Sequence, residues 1–366
     1  MRARLVAAVA FSSFLFACGG SEPPPPASAP PPVVSAAPVA SATPPPPAAS
    51  AAAVAPPEPT PDERKTVEER KKLSDERAKW QEDNKAEIAR WTPEVHAAAK
   101  ALADKAYPSL TAAINAAAAG KDRKPGNADR DKYRHPLKTL AVFGLTPSMT
   151  VLEVGPGDGW YTELLAPTLA AKGKLIVTTP DPNGPEDQFS TFNGQKLKAL
   201  LDKSPELFGK VQAVVVDDKA PKLGLNGTVD AVLLMREVHG MVNYGTLDAW
   251  LGEIHSALKS GGILGIEDHR AKPDVDPLES SKRGYLPEKW VVERIEAAGF
   301  KLAGKSEVNA NPKDTKDYSA GVWALPPSLQ LGDQDRAKYL AIGESDRMTL
   351  KFVKVADKPA DASGKK

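Results

Sequence analysis

A glycine-rich turn at residues 151–160 sets the strongest constraint on how this chain can fold. The segment reads Val-Leu-Glu-Val-Gly-Pro-Gly-Asp-Gly-Trp, an apolar strand pattern that runs through three alternate glycines into a helical pattern. Because glycine has no Cβ, the chain can turn sharply there and a ligand can approach its backbone. At the end of a first strand, such a turn predicts a ligand site at the carboxyl edge of a parallel sheet.

Strand and helix patterns alternate from residue 150 onward. The short apolar runs that predict strands span 150–155, 174–179, 211–216, 229–235, 263–267, 302–308 and 348–355. Helical patterns separate them at 160–171, 195–203, 246–258 and 286–298. Residues 309–346 lack helical periodicity, which predicts an inserted loop region. We therefore expect an α/β fold with a doubly wound, mostly parallel sheet and right-handed crossovers.

Composition divides the rest of the chain. Close to half of the 35 prolines lie in a Pro/Ala-rich stretch that cannot bury enough apolar surface to fold, so 19–61 is predicted to be a disordered tether. Charged and then amphipathic helical patterns predict a helical extension over 62–128. The α/β domain is predicted over 129–356, and 357–366 is predicted to be a disordered tail.

Residues 1–18 have the layout of a signal peptide. Two arginines precede an apolar run that is too short to span a bilayer and that ends in Leu-Phe-Ala-Cys. This ending resembles the lipobox of bacterial lipoproteins, which implies lipidation of Cys18 and a chain anchored by lipid to a membrane of the bacterial cell envelope. The alternative is an ordinary secretory signal with an incidental cysteine.

Charge and cysteine content exclude several classes of function. The chain has 48 Lys and Arg against 47 Asp and Glu, a formal net charge of +1. Without a strongly basic balance, we expect no nucleic-acid partner. A single cysteine also excludes an intramolecular disulfide framework and a multi-cysteine metal site.

The run Glu-x-Gly-x-Gly-x-Gly that starts at Glu153 closely resembles motif I of class I S-adenosylmethionine-dependent methyltransferases, and the resemblance covers about residues 131–354. It implies a seven-stranded Rossmann-like methyltransferase sheet and S-adenosylmethionine as the cofactor. It also implies that Gly155, Gly157 and Gly159 make room for the cofactor's methionine part, with Glu153 near its amino group.

Two further acidic positions follow from the same resemblance. The family places a carboxylate after the second strand for the ribose hydroxyls and another polar group after the third strand near the adenine amino group. Asp181 and Asp217 are the corresponding candidates, although Asp181 comes late and after a proline. Solvated loop carboxylates are the alternative for both, and Asp218 is a second candidate beside Asp217.

Three stretches resemble a family of bacterial predicted methyltransferases that lacks a well-defined substrate. They are Tyr-Arg-His-Pro at 133–136, Pro-Gly-Asp-Gly-Trp-Tyr-Thr-Glu at 156–163 and Gly-Glu-Ser-Asp-Arg at 343–347. In this fold amino-terminal segments cover the cofactor, which makes Tyr133 a candidate site residue together with His135. Alternatively, both only connect the helical extension to the sheet.

Candidate catalytic residues follow the fourth and fifth strands. His239 is suited to act as a general base near neutral pH, and Arg236 to hold an anionic substrate or to pair with Glu237. Asp268 and His269 end the fifth strand at the same edge. A structural hydrogen-bonding role is the alternative for the histidines. No metal site is predicted, because Asp217, His239, Asp268 and His269 share no recognised ligand spacing.

Two functions remain open at this point. The first is methyl transfer from S-adenosylmethionine to an unknown small-molecule or protein acceptor. The second is a non-catalytic envelope module that kept the fold and binds another ligand, since a fold does not imply a function. The intact glycine turn with Glu153 favours the first. Export of the chain away from the cytoplasm, where the cofactor is made, and the late Asp181 favour the second.

Overall fold

The computed structural model describes residues 61–355. The predicted signal peptide with Cys18, the tether up to residue 60 and the tail from 357 lie outside the described residues. Within residues 61–355, no helix is both long and apolar enough to cross a membrane.

A mixed sheet of seven strands forms the centre of the described part of the chain. The strands are β1 (Thr150–Val154), β2 (Lys174–Thr179), β3 (Gln212–Val215), β4 (Val229–Met235), β5 (Leu258–His269), β6 (Phe300–Ser306) and β7 (Arg347–Lys354). Their order across the sheet is β3-β2-β1-β4-β5-β7-β6. The neighbouring strands β3, β2, β1, β4 and β5 pair in parallel, and β7 runs antiparallel to both β5 and β6. The predicted fold class, doubly wound and mostly parallel, is confirmed.

Helices precede the sheet, connect its strands and cover both of its faces. They are α1 (Pro61–Arg90), α2 (Pro93–Asp104), α3 (Leu110–Ala118), α4 (Asp131–Arg134), α5 (Pro136–Phe143), α6 (Thr162–Leu169), α7 (Phe189–Asp202), α8 (Pro205–Phe208), α9 (Val238–Asn243), α10 (Leu247–Ala257), α11 (Pro277–Ser281), α12 (Glu288–Ala297) and α13 (Arg336–Ile342).

Alternate residues of the strands supply two hydrophobic layers, as expected for a sheet that is covered on both faces. On β1, Val151 packs in the layer formed with α3, α5 and α6, whereas Leu152 packs in the layer formed with α10 and α12. The amino-terminal helices α2 and α3 join the first layer through small and apolar residues, including Ala99 and Ile114. The helical extension is therefore packed onto the α/β core.

The interval 309–346 differs from its prediction as a loop region without helical periodicity. It contains a short 3₁₀ helix, Gly321–Ala324, and helix α13. The two segments pack around a small hydrophobic cluster in which the rings of Tyr318 and Tyr339 meet at a centroid distance of 5.5 Å. Segments of four and seven residues are too short to show a helical repeat in the sequence, so only this packing reveals them.

Candidate functional site

The glycine turn lies where β1 ends and before α6 begins. Gly155 and Gly157 have φ values of +61° and +56°, a backbone conformation that residues with a side chain rarely adopt. A Cβ at Gly155 would lie 2.5 Å from the Oε2 atom of Glu237, whereas a Cβ at Gly157 would meet no atom of the described residues within 4 Å. The turn is therefore closed on one side by a carboxylate and open beside Gly157.

Two carboxyl groups flank this turn, and both are poorly stabilised as anions. Glu153 is buried on β1, and its Oε2 accepts a hydrogen bond from Thr162 Oγ1 at 2.7 Å. Burial raises its pKa to about 7. Burial also raises the pKa of Glu237 well above its ordinary value, with Asp268 and other carboxylates acting in the same direction against Arg236. Among the described residues, the Glu237 carboxyl has no hydrogen-bond partner.

Arg236 contributes an unpartnered cation at the same edge of the sheet. It follows β4 with a φ of +67°, and its backbone N–H donates to the carbonyl of Glu267 at 2.6 Å. Its Nε atom is buried without a hydrogen-bond partner. Within residues 61–355 it forms no close ion pair, and its charge acts on Glu237 at longer range, where it lowers the pKa of that carboxyl against burial. Pairing with Glu237 stays a prediction.

His239 and Asp268 form the most directly connected pair at the site. Asp268 is fully buried at the end of β5, and its Oδ1 lies 2.8 Å from Nδ1 of His239. The same carboxylate accepts the backbone N–H groups of His239 at 3.0 Å and His269 at 2.7 Å. A carboxylate held in this way fixes the orientation of the His239 imidazole. Because it accepts a hydrogen bond from Nδ1–H, the other ring nitrogen, Nε2, can act as a proton acceptor.

His269 lies against this pair. Its ring centroid is 5.2 Å from that of His239, and its Nδ1 is 2.5 Å from the hydroxyl oxygen of Ser345. Burial lowers the pKa of the His269 imidazole well below its ordinary value, and the positive charges of His239 and Arg236 add to the effect. His269 is therefore neutral near pH 7. The ring of Trp323, which is partly exposed, lies 6.4 Å from that of His239.

Asp181 and Asp217 each follow the end of a strand by two residues, β2 and β3 respectively, and are exposed. Each carboxylate closes its own turn: an Oδ1 atom accepts the backbone N–H of Asn183 at 2.8 Å and of Lys219 at 2.9 Å, respectively. Local bonds of this type are typical of aspartate in loops. Their proposed contacts with ribose and adenine stay predictions.

The stretches 133–136, 156–163 and 343–347, which resemble one family of bacterial predicted methyltransferases, meet in a buried arginine network. Its members are Arg134, Glu344, Arg347, Glu267 and Tyr161. Arg347 bonds Glu344 at 2.6 Å and donates to the carbonyl of Tyr133 at 2.6 Å. It also forms an ion pair with Glu267 at 2.6 Å, in which its N–H is not aligned for a hydrogen bond.

The arginine network also explains the positions of Tyr133 and His135. The backbone of Tyr133 is held by Arg347, and its ring closes over Gly343, where a Cβ would lie 2.7 Å from the ring. His135 ends α4 with a φ of +42°, and its Nδ1 lies 3.3 Å from Oδ1 of Asn309. Both residues thus connect α4 to the segments around β7, and no contact within the described residues links either to His239.

Glu237 and Ser345 are site residues that sequence reasoning did not select. Glu237 was noted only as a neighbour of Arg236, and its contact with Gly155 joins residues that lie 82 positions apart in the sequence. Ser345 lies within Gly-Glu-Ser-Asp-Arg, a stretch that was singled out by resemblance without a role. Adjacency of β1, β4, β5 and β7 in the sheet brings these residues together, and no local pattern encodes that adjacency.

The strand order decides the fold assignment. A first strand that carries the glycine turn lies between β2 and β4, and the last strand is inserted antiparallel between β5 and β6. The chain has a Rossmann-like methyltransferase fold. No protein-family model and no curated protein sequence matches it.

Solved structures with a similar arrangement are remote in sequence. An S-adenosylmethionine-dependent methyltransferase from Aquifex aeolicus is 21% identical, with a TM-score of 0.41 over 63% of this chain and 94% of that one. The [4+2]-cyclase SpnF is 18% identical, with a TM-score of 0.43 over 61% and 81%. A Burkholderia thailandensis 1,6-didemethyltoxoflavin-N1-methyltransferase, solved with S-adenosylhomocysteine, is 14% identical, with a TM-score of 0.37 over 62% and 80%. At these scores the likenesses add no argument about activity.

Proposed function

We propose that this chain binds S-adenosylmethionine at the glycine turn and transfers its methyl group to a small-molecule or protein acceptor. The observation that carries the proposal is the opening beside Gly157, flanked by the carboxyl groups of Glu153 and Glu237. When bound, the cofactor supplies an electrophilic methyl group on a positively charged sulfonium. Carboxyl groups whose pKa burial has raised suit such a ligand, because its sulfonium and ammonium charges would favour their ionised forms.

The residues for holding the cofactor are those of the turn and its surroundings. Gly155, Gly157 and Gly159 supply a backbone without side chains in the way. Glu153 and Glu237 supply carboxyl groups whose ionised forms a bound cationic ligand would stabilise. We assign Asp181 to the ribose hydroxyls and Asp217 to the adenine amino group as further contacts, in line with the resemblance of the motif.

His239 is the proposed general base. With Asp268 as the partner of Nδ1–H, Nε2 of His239 can take a proton from an acceptor as the acceptor becomes nucleophilic. Asp268 keeps the imidazole oriented and stabilises its protonated form, and Arg236 offers an unpartnered guanidinium to an anionic group of the acceptor. His269 lines the same edge as a neutral imidazole, and Tyr133 is retained only as a residue that positions α4.

Calorimetry with two glycine variants tests the cofactor proposal. Gly157 and Gly227 have φ values of +56° and +59°, both are exposed, and both have open space at the Cβ position. Gly227 lies just before β4, at the opposite edge of the sheet. Gly157→Ala and Gly227→Ala should each lower the free energy of unfolding by about 1–2 kcal/mol.

Only Gly157→Ala should also weaken S-adenosylmethionine binding, by about 10-fold or more, a difference of about 1.4 kcal/mol. If the unsubstituted protein shows no heat of binding at millimolar cofactor, the proposal fails. Equal affinities in the two variants would remove the cofactor from the glycine turn.

A non-catalytic envelope module that binds another ligand is the second candidate. The observation that favours it is the engagement of the Asp181 carboxylate in its own turn. The two candidates separate in one assay: labelled cofactor is incubated with the protein and envelope extracts, and transfer of label to an acceptor is measured. Binding without transfer, at any extract concentration, would favour the second candidate.

We also propose that the chain is lipid-anchored in the cell envelope through Cys18. The basic start, the apolar run and Leu-Phe-Ala-Cys support this location. Cys18→Ser should abolish metabolic labelling with a fatty acid and leave the precursor uncleaved. Lipid label that persists in the variant would contradict the assignment.

A further inference from the structure

Two histidines and one aspartate, from helix α9 and strand β5, converge at the carboxyl edge of the sheet. His239 lies in the first turn of α9, and Asp268 and His269 end β5. One potential ligand atom from each residue lies within 4.8 Å of those of the other two. The chain separation of 29 residues between His239 and Asp268 explains why no ligand spacing is visible in the sequence.

We propose that His239, Asp268 and His269 form a binding site for a divalent transition-metal cation. The set of two imidazoles and one carboxylate leaves coordination positions open for water or a substrate oxygen, as in catalytic zinc sites and non-haem iron sites. Metal binding here goes beyond methyl transfer and can be tested without it. A cation at His239 prevents that imidazole from acting as a general base, so the two roles belong to different states of the site.

The hydrogen bond of the His269 ring matches that of a metal-bound histidine. In metal sites one ring nitrogen binds the ion while the other bonds a carboxylate, a carbonyl or water, which fixes the tautomer. Nδ1 of His239 bonds Asp268 at 2.8 Å, and Nδ1 of His269 bonds the hydroxyl of Ser345 at 2.5 Å. Nδ1 of His269 is thus engaged, which leaves its Nε2 for the cation. At the other ring, a cation takes the place of the proton between Nδ1 of His239 and Oδ1 of Asp268, so that both of these atoms become ligands.

Asp268 also has capacity left for a metal ion. Its two oxygens accept three N–H groups, whereas an ionised carboxylate has about four lone-pair sites. Asp268 is fully buried at the end of β5, which holds its carboxylate in place. The two histidines are only partly buried, so an ion can reach them.

The local charges tolerate an added cation. Arg347, the buried arginine nearest in sequence to Ser345, is neutralised by Glu344 and Glu267 at 2.6 Å each. Arg236, which forms no ion pair within residues 61–355, follows β4 at the same edge. The Asp268 carboxylate offsets its charge, so the two groups together carry no net positive charge.

Imidazole ligands select among metals. Nitrogen donors suit zinc, iron, nickel and copper, whereas magnesium and calcium prefer sites built from oxygen. We therefore expect the purified full-length protein, stripped with a chelator and dialysed, to bind zinc chloride with one-to-one stoichiometry and to bind magnesium chloride far more weakly. Isothermal titration with the metal alone measures both.

Three variants define the site. His269→Ala removes a ligand and should lower zinc affinity by about 100-fold or more, while Ser345→Ala removes an outer partner and should lower it by about 10-fold. The control is His96→Ala, because His96 lies on α2 and pairs with Glu206, away from the site. It should leave zinc affinity unchanged.

The result that overturns the proposal is zinc binding of the same affinity in His269→Ala and His96→Ala, or no zinc binding by the unsubstituted protein. If His269→Ala does not fold, the visible absorption spectrum of the unsubstituted protein with cobalt(II) decides. Absorption bands of a cobalt(II) ion bound by nitrogen ligands support the site. The spectrum of the hydrated cobalt(II) ion overturns the proposal. Calorimetry with S-adenosylmethionine is a separate measurement, so failure of either proposal is recognised independently.

Discussion

Two groups of charged residues lie near the carboxyl edge of the same sheet and differ in how their charges are satisfied. In the arginine network, Glu344 binds Arg134 at 3.2 Å and Arg347 at 2.6 Å, and Tyr161 donates to Glu267 at 3.2 Å. Around the glycine turn, neither Glu237 nor Arg236 forms an ion pair within the described residues, and the Nε of Arg236 is buried without a hydrogen-bond partner.

The difference separates charges that hold the fold from charges that await a ligand. A buried ion contributes to specificity and stability only when its partners are in place, and removal of one partner leaves a costly unpaired charge. An unpaired group in a folded protein has a cost that ligand binding can offset. The first group should therefore affect stability when changed, and the second should affect binding and catalysis.

The largest expected effect is on the arginine network. Arg347→Ala should lower the free energy of unfolding by about 3–5 kcal/mol, because the variant removes the cation that Glu267 pairs with and one of the three arginines that bind Glu344. Urea unfolding measures the change. Arg336→Ala, at an exposed position on α13, is the control and should stay within about 0.5 kcal/mol. A loss below about 1 kcal/mol for Arg347→Ala would erase the distinction between the two groups.

Glu153 should make stability depend on pH. Burial raises its pKa from 4.5 to about 7, so the folded state retains a proton that the unfolded state releases. Its contribution to the free energy of unfolding is full below pH 4.5 and declines as the pH rises to about 7. At about 1.36 kcal/mol per pKa unit, the total decline is about 3 kcal/mol.

Glu153→Gln should remove this decline, and the comparison of unfolding free energies at pH 5 and pH 7 between the two proteins isolates it. Thr162→Val is a useful companion, because it deletes the hydrogen bond to the Glu153 carboxylate and should raise its pKa further. Parallel pH profiles for the unsubstituted protein and the Glu153→Gln variant would show that the carboxyl is not protonated in the fold.

His239→Ala tests catalysis. Turnover should fall by about 10²-fold while cofactor affinity stays within about twofold, the usual scale of a positioned general base. The fold should persist, because Asp268 keeps two backbone N–H donors after the imidazole is removed. Single-turnover rates with labelled cofactor make the measurement. Unchanged turnover in the folded variant would assign His239 a structural role.

The smallest effect on stability is expected for Arg236→Ala. No ion pair within residues 61–355 is lost, and the buried Nε without a partner is removed, so the free energy of unfolding should change by less than about 1 kcal/mol. Affinity for an anionic acceptor should nevertheless fall. A loss of stability as large as that of Arg347→Ala would show that the Arg236 guanidinium has a partner in the folded chain.

Sequence patterns were most informative where a short segment carries its own structure. β2 and β4 coincide with their predicted bounds, because their apolar runs end at polar or turn residues. The prediction for β5 began five residues late, since Leu258–Gly262 continues the strand beyond a bulge that an apolar run does not show. Helix α13 and the 3₁₀ helix were missed because they are too short for a periodic signal.

By itself, the sequence determined the α/β class, the position of the glycine turn and the candidate residues that follow β4 and β5, because each depends on composition or spacing within a few residues. Only the tertiary structure decided which of them meet. It joined Glu237 to Gly155, Asp268 to His239 and Arg347 to Glu344 and Glu267, and it left Arg236 unpaired within the described residues. The physical reason is that strand order across the sheet sets these contacts, and strand order arises from the packing of the whole core.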